Sequence, residues 1–399
     1  MDLATIEERE YAGKKVFVRV DFNVPLDKNL AITDDTRIVA VIPTIEYLLK
    51  KGASLILASH LGRPQGAPSK EFSLKPVALR LAELLRRPVT FADDCIGTEV
   101  KKRAEQLKSG DILLLENLRF HPEEEKNDKE FSRSLASLAD AYVNDAFGTS
   151  HRAHASITGV PFFLIDKAAG FLIKKEVEAL SRIQNNPERP LLVIVGGSKA
   201  SDKIAVLKKL ISKIDTVLTG GVVAYTFVKA KNWAVGNSKV DEAAIPNAKE
   251  IIRITYKLHN EFHTPLDHLI TNKVAEDGDA IFTDRGTVPK GWTGVDIGPQ
   301  AIEEYRDCIS RAKTIFWNGP MGIFEIPKFS KGTIAIAKAV AESNAYTVVG
   351  GGDSIAAVHM ANVADKISHI CTGGGASLEF LEKNSLPGID VLTLKDTTS

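Results

Sequence analysis

The sequence has no excess charge of either sign: 51 lysines and arginines stand against 51 aspartates and glutamates in 399 residues. A balanced chain raises no global positive field to gather nucleic acid, so any anion site must be assembled locally. Cysteine is scarce. Cys95, Cys308 and Cys371 lie far apart with no metal-type pair, which argues against a disulfide framework and points to a reducing compartment. No apolar run approaches the ~18–20 residues that span a bilayer. The opening MDLATIEEREYAGKK carries acidic residues and lacks the apolar stretch of a signal peptide. Two nucleotide fingerprints are missing as well, since no Walker A spacing occurs and no GxGxxG follows any strand-like run. The expectation is a soluble, cytoplasmic protein with neither nucleic acid nor membrane as partner. What remains is ordinary: 44% hydrophobic and 26% charged residues exclude a largely disordered chain, and the length suits two domains at ~100–200 residues each.

Short β-branched apolar runs alternate with helical patterns from end to end. The strand-like runs fall at 14–20, 54–59, 111–116, 140–145, 190–195, 215–219, 313–318, 346–350 and 368–372, with helix-like segments such as 35–51, 74–86, 128–139, 201–212, 220–231, 299–311 and 330–342 between them. Runs bounded by turn residues and separated by helices imply βαβ units with buried parallel strands. A charged amphipathic segment, GFLIKKEVEALSRIQNNPERP, ends in an Asn-Asn-Pro break before a fresh strand and divides the chain into two α/β halves. The alternative is one oversized sheet carrying a surface helix.

Ligands of open α/β sheets bind beyond the carboxyl ends of the strands, and there the two halves differ. In the first half the runs lead into Asp21-Phe22-Asn23, with Arg37 opening the next helix, then His60-Leu61-Gly62-Arg63, Asn117-Leu118-Arg119-Phe120-His121, and the Gly148–His154 stretch containing Arg152. A planar guanidinium offers paired donors matched to carboxylate or phosphate, so four arginines at equivalent strand ends indicate a pocket for a small polyanion. Any one of them alone would read as a solvated loop residue or a structural ion pair.

In the second half the runs lead into glycines: Gly196-Gly197-Ser198-Lys199 with Lys203 beyond, Gly220-Gly221, Gly319-Pro320-Met321-Gly322, Gly351-Gly352-Asp353-Ser354 and Gly373-Gly374-Gly375. Glycine lets the backbone approach a phosphate, and the helix N-terminus behind it presents free N–H groups and partial positive charge. Five such ends suit a nucleoside triphosphate. Asp353 is placed to meet a magnesium ion that keeps most of its ligands as water and phosphate, or to cap its helix. A polyanion half and a nucleotide half together imply phosphoryl transfer by positioning and charge neutralisation. No general base stands among the glycines, which fits an acceptor already ionised at neutral pH.

At these residues the chain resembles phosphoglycerate kinase. The matching segments are RVDFNVPL (19–26), TDDTRI (33–38), SHLGRP (59–64), FSLKPVA (72–78), LLLENLRF (113–120), YVNDAFGTSHRAHAS (142–156), GGSKASDKI (196–204), AYTF (224–227), GWTGVDIGP (291–299), FWNGPMGIFE (316–325), VGGGDS (349–354) and ISHICTGGGASLEFLE (367–382). The resemblance implies reversible phosphoryl transfer from 1,3-bisphosphoglycerate to ADP, giving 3-phosphoglycerate and ATP with Mg2+, in a monomer. It implies two Rossmann-like three-layer α/β/α domains with parallel sheets: a 3-phosphoglycerate-binding domain, 1–169 with about 380–399, and a nucleotide-binding domain, 188–379. A hinge helix over 170–187 joins them, and direct in-line transfer follows domain closure. By the same resemblance Asp21, Asn23, Arg37, His60, Arg63, Arg119 and Arg152 hold 3-phosphoglycerate. Arg37, Lys199, Lys203, Gly352 and Gly375 serve the transfer. Gly197, Lys199, Lys203, Gly220, Gly221, Gly294, Asn318, Pro320, Glu325, Gly351, Gly352, Asp353 and Ser354 hold the nucleotide, with Asp353 toward the metal.

The chain departs from the family pattern at Ser198 and Ala200, which flank the first lysine, and at Val222-Val223, where a glycine triplet is broken. Residues 260–280 also follow it poorly. Two other classes compete: a non-catalytic nucleotide- or phosphate-binding protein on the same scaffold, and a dinucleotide oxidoreductase, which the missing GxGxxG disfavours.

Overall fold

The computed structural model describes residues 2–393. The described chain holds two compact units, one of residues 2–177 and 385–393, the other of residues 178–384, so the division along the sequence falls inside the helix Phe171–Asn185.

In the first unit, strands β1 (Lys15–Val20), β2 (Ser54–Ala58), β3 (Thr90–Phe91), β4 (Ile112–Leu114), β5 (Ala141–Asp145) and β6 (Lys167–Ala169) form one six-stranded sheet in the order β3-β4-β2-β1-β5-β6. Every pairing in it is parallel, with Val18 opposite both Leu57 and Val143. Strands β2 and β5 are buried at every position, as strands covered on both faces must be. One face carries a core of Val16, Val18, Leu55, Leu57, Leu114 and Val143 packed against Ile38, Val41, Ile45, Val77 and Leu81 of two flanking helices. Residues 385–393 return to this unit, where Gly388 N–H donates to Ser150 O at 2.8 Å and Ala4 N–H to Leu392 O at 3.1 Å. The expected return over about 380–399 is thus described only as far as residue 393; residues 394–399 lie outside the described residues.

In the second unit, β7 (Leu191–Val195), β8 (Thr216–Thr219) and β9 (Glu261–His263) pair in parallel, and after an excursion β13 (Thr314–Asn318), β14 (Tyr346–Gly350) and β15 (His369–Ile370) complete the order β15-β14-β13-β7-β8-β9. The presence of two separate parallel sheets removes the single-sheet alternative. The excursion is a third sheet, β11-β10-β12, from β10 (His268–Thr271), β11 (Ala280–Phe282) and β12 (Thr293–Ile297), and it is antiparallel. The βαβ reading did not anticipate it, because its strands are short and joined without helices. It overlaps residues 260–280, the segment that departs from the family pattern.

Candidate functional site

The parallel sheets determine where chemistry can gather, because every strand of a sheet delivers its following loop to the same end. In the first unit Asp21 follows β1 directly and is almost fully buried. Its carboxylate receives Arg37 Nη1 at 3.0 Å, from the first turn of the helix Thr36–Lys50, and lies 3.9 Å from His60 Nδ1 after β2. Asn23 Oδ1 accepts the Gly62 N–H at 2.8 Å, while Arg119 Nη1 donates to Gly62 O at 2.8 Å. The loop after β2 is thereby clamped from both sides. Arg152 Nε donates to His151 Nε2 at 3.2 Å. Arg63 is exposed, and among the described residues no hydrogen bond or ion pair ties it to the other six.

The sequence reading passed over Arg19. It is fully buried within β1, donates from Nε to Ser156 Oγ at 2.8 Å and from Nη1 to Val20 O, and brings Nη2 within 3.4 Å of His60 Nδ1. Its charge is balanced through Ser156 by Glu124, which is also fully buried and accepts Ser156 Oγ at 2.6 Å and Ser156 N–H at 2.9 Å. Burial raises the Glu124 pKa, an effect that the Arg19 charge opposes. His60 is driven well below its ordinary pKa by burial and then by the charges of Arg19, Arg119 and Arg37. His154 is pushed down to about 3 by burial and then by Arg119, Arg19 and Arg152. Both imidazoles are therefore neutral, and both register the same cluster of guanidinium charges. Such a cluster accepts a small anion with several acceptor oxygens.

In the second unit the loops after β7, β13, β14 and β15 close round a cavity of about 280 Å3. Its walls include Lys199, Lys203, Asn318, Gly351, Gly352, Asp353, Ser354 and Gly375 from the expected set, together with Asp202, which the sequence reading missed. Two nine-residue helices, Gly352–Met360 and Gly375–Lys383, begin there with no side chain capping their N-termini. The first turns present backbone N–H groups to a ligand, led by those of Gly352 and Gly375, while the Ala376 N–H is held by Gly373 O at 3.0 Å. The capping position belongs to Gly351, at φ +88°, so Asp353 does not cap this helix and its exposed carboxylate stays available to the cavity. Lys203 Nζ donates to Gly196 O at 2.6 Å and Asn318 O at 3.3 Å. Burial brings its pKa down to about 8 despite the opposing charge of Asp353. The Asn318 Nδ2 amide is buried with no partner among the described residues.

Other expected nucleotide residues lie behind this wall. Gly197 N–H donates to Pro320 O at 2.8 Å, Gly221 N–H to Met321 O at 2.7 Å, and Val222 N–H to Gly197 O at 3.0 Å. These bonds knit three loops through their backbones. A Cβ on Gly319, at φ +98°, would stand 2.1 Å from Gly196 O and 2.2 Å from Lys203 Nζ; one on Gly196 would stand 2.0 Å from Pro320 O. Gly220 packs on Met321, and Gly294 packs on Tyr225 within β12. Glu325 is exposed. The structure does not place Gly197, Gly220, Gly221, Gly294, Pro320 or Glu325 among the residues lining the cavity.

The phosphoglycerate kinase family model matches residues 6–384. The chain belongs to the phosphoglycerate kinase family. It is 52% identical to a phosphoglycerate kinase of Anaeromyxobacter sp. (strain Fw109-5) over 394 residues, covering 98% of this chain and 100% of the relative. It is 49% identical to one of Clostridium botulinum (strain Hall), covering 98% of each. Among solved structures, phosphoglycerate kinase from Coxiella burnetii aligns with a TM-score of 0.89 at 39% identity, covering 98% of this chain and 99% of that one. Placing the chain in the phosphoglycerate kinase family sets the dinucleotide-oxidoreductase reading aside.

Proposed function

We propose that this chain catalyses reversible phosphoryl transfer from 1,3-bisphosphoglycerate to ADP, giving 3-phosphoglycerate and ATP in glycolysis. The observation that carries the reading is the second unit's cavity, where two uncapped helix N-termini and Lys203 meet, with the buried Asn318 amide in its wall. Such a donor set suits a phosphate-bearing anion. Toward ATP, a β-phosphate oxygen of ADP attacks the acyl phosphorus, the bond from phosphorus to the carboxyl oxygen breaks, and 3-phosphoglycerate leaves as a carboxylate. No proton moves, so no general base is required.

In this proposal Asp21, Asn23, Arg37, His60, Arg63, Arg119 and Arg152 bind the phosphoglycerate, and we add Arg19 as the buried charge beside His60. Arg37 and Lys199 neutralise the moving phosphoryl group, while Lys203 and the backbone at Gly352 and Gly375 hold nucleotide phosphates. Gly197, Gly220, Gly221, Gly294, Pro320 and Glu325 are assigned to the nucleoside side. Mg2+ arrives with the nucleotide. Asp353 belongs to none of the three clusters of possible metal ligands found among the described residues, and one carboxylate beside phosphates suits an ion that keeps its waters. We assign 1–169 with about 380–399 to phosphoglycerate, 170–187 to a hinge and 188–379 to nucleotide, in a cytoplasmic monomer that closes before transfer. The test is ADP release from Mg-ATP with 3-phosphoglycerate as acceptor. Wild type should turn over, and Arg37→Ala should fall by roughly 100- to 1,000-fold. A wild type that binds nucleotide without turnover would favour the non-catalytic binding protein.

A further inference from the structure

At the amino-terminal end of the second unit's sheet, away from the nucleotide cavity, a separate group of side chains converges on one point. Glu261 and His263 sit two residues apart on β9, an edge strand, so their side chains lie on the same face. The helix Pro299–Arg311 presents Glu304 and Cys308, one turn apart, toward them. Cys308 Sγ is 3.7 Å from His263 Nε2, and His263 Nε2 is 3.8 Å from Glu261 Oε2. A sulfur, an imidazole nitrogen and a carboxylate oxygen all lie within 4.8 Å of one another.

We propose that Cys308, His263 and Glu261 form a binding site for a single zinc-class divalent ion. Tetrahedral zinc with bonds of about 2.0–2.3 Å sets its ligand atoms roughly 3.3–3.8 Å apart. The sulfur–nitrogen and nitrogen–oxygen pairs are at or near that range, and the sulfur–oxygen pair, within 4.8 Å, closes as Glu261 turns in. The mixed sulfur, nitrogen and oxygen donors favour zinc or cobalt over magnesium or calcium, which take oxygen. A second observation concerns the far side of the imidazole. His263 Nδ1 lies 2.9 Å from Glu304 Oε1. A carboxylate on the outer nitrogen is the usual support of a metal-bound histidine, because it fixes the ring and leaves Nε2 bare. Glu304 is thus a positioning residue. Thr216 Oγ1 donates to Glu261 Oε2 at 3.2 Å and steadies the third ligand.

Arg311 now occupies this point: Nη1 donates to Glu261 Oε1 at 3.2 Å, while Nη2 lies 3.4 Å from Glu261 Oε2, 3.6 Å from Cys308 Sγ and 3.2 Å from Asp307 on its own helix. It must leave both the carboxylate and the sulfur for the ion to enter, and it keeps Asp307 when Glu261 turns to the ion. With the ion bound, the dication and Arg311 carry three positive charges against four negative ones on the Cys308 thiolate, Glu261, Glu304 and Asp307, leaving one net negative charge. The thiol proton leaves to water as the metal–sulfur bond forms. A cavity of about 520 Å3, bordered by Glu261, Cys308 and Arg311, gives access and room for a water as fourth ligand.

Cobalt(II) titrated into the reduced full chain tests the site. One equivalent should bind with a near-ultraviolet thiolate-to-cobalt band, and zinc should displace it. Cys308→Ser and His263→Gln should each abolish the band, whereas a Cys95→Ser/Cys371→Ser double variant should keep it. Glu304→Gln should keep the band but weaken binding about 10- to 100-fold. Absence of the band in wild type, or its survival in Cys308→Ser, would overturn the proposal. Should the variants fail to fold, alkylation of Cys308 in wild type decides: zinc must slow it, and an unchanged rate refutes the site.

Discussion

Raising the pH from 7 to 10 should strip the nucleotide cavity of the cation on Lys203 while its backbone donors stay intact. Burial is the main cause of the low Lys203 pKa of about 8, since desolvation outweighs the nearby Asp353. If only the ammonium form binds a polyphosphate, affinity follows the protonated fraction. At one unit above the pKa, about one lysine in eleven remains charged, so affinity drops roughly tenfold, about 1.4 kcal/mol. Two units above, the loss is roughly 100-fold. The assay is calorimetric titration of magnesium-free ADP at fixed ionic strength. At pH 9 binding should also take up close to one proton, read from the dependence of the enthalpy on the buffer. Lys203→Met should bind more weakly and show no such fall. A flat wild-type profile from pH 7 to 10, or the same fall in Lys203→Met, would refute the reasoning.

Gly319→Ala would put a methyl 2.2 Å from Lys203 Nζ on a backbone at φ +98°. The variant should lose about 1–2 kcal/mol of stability to backbone strain, read as a lower Tm, together with weaker ADP binding. Asp145 accepts the Leu172 and Ile173 N–H groups at the start of the helix Phe171–Asn185, and burial lifts its pKa to about 7 from the ordinary 3.8. Its contribution to stability is therefore complete below pH 3.8 and is lost as the pH rises toward 7, by at most about 4 kcal/mol. Urea unfolding at pH 4 and pH 7 should show this decline in wild type and a smaller one in Asp145→Asn.

The central parallel strands were legible because burial on both faces makes each a short apolar run, and β1, β2, β5, β7, β8, β13 and β14 all lie within the runs read from sequence. The parallel strands β3, β6 and β9, only two or three residues long and not fully buried, lie outside them. The loop chemistry was legible for the same reason, since the polar residues after each run had to point toward a ligand. Arg19 was harder to see. It sits inside an apolar strand, and its partner Glu124 is one of three consecutive glutamates, so only the fold shows which of them is buried. The glycine-rich ends were read as a single class, yet they divide. Gly352 and Gly375 open helices into the cavity, whereas Gly196 and Gly221 allow loops to touch behind it, a distinction that depends on contacts between distant segments. The antiparallel sheet β11-β10-β12 was missed because a three-residue strand such as Ala280–Phe282, exposed throughout, leaves no periodic signature. The cluster of Glu261, His263, Glu304 and Cys308 needed the register of β9 against a helix about forty residues later.

The central claim is that the phosphoryl acceptor is a carboxylate, and the chemical nature of the product tests it most directly. An acyl phosphate reacts with hydroxylamine to give a hydroxamate, and a phosphate ester does not. Incubated with Mg-ATP, 3-phosphoglycerate and hydroxylamine, the protein should release ADP and form an equal amount of 3-phosphoglycerate hydroxamate. Transfer that yields an ester at the 2-hydroxyl and no hydroxamate would contradict the account.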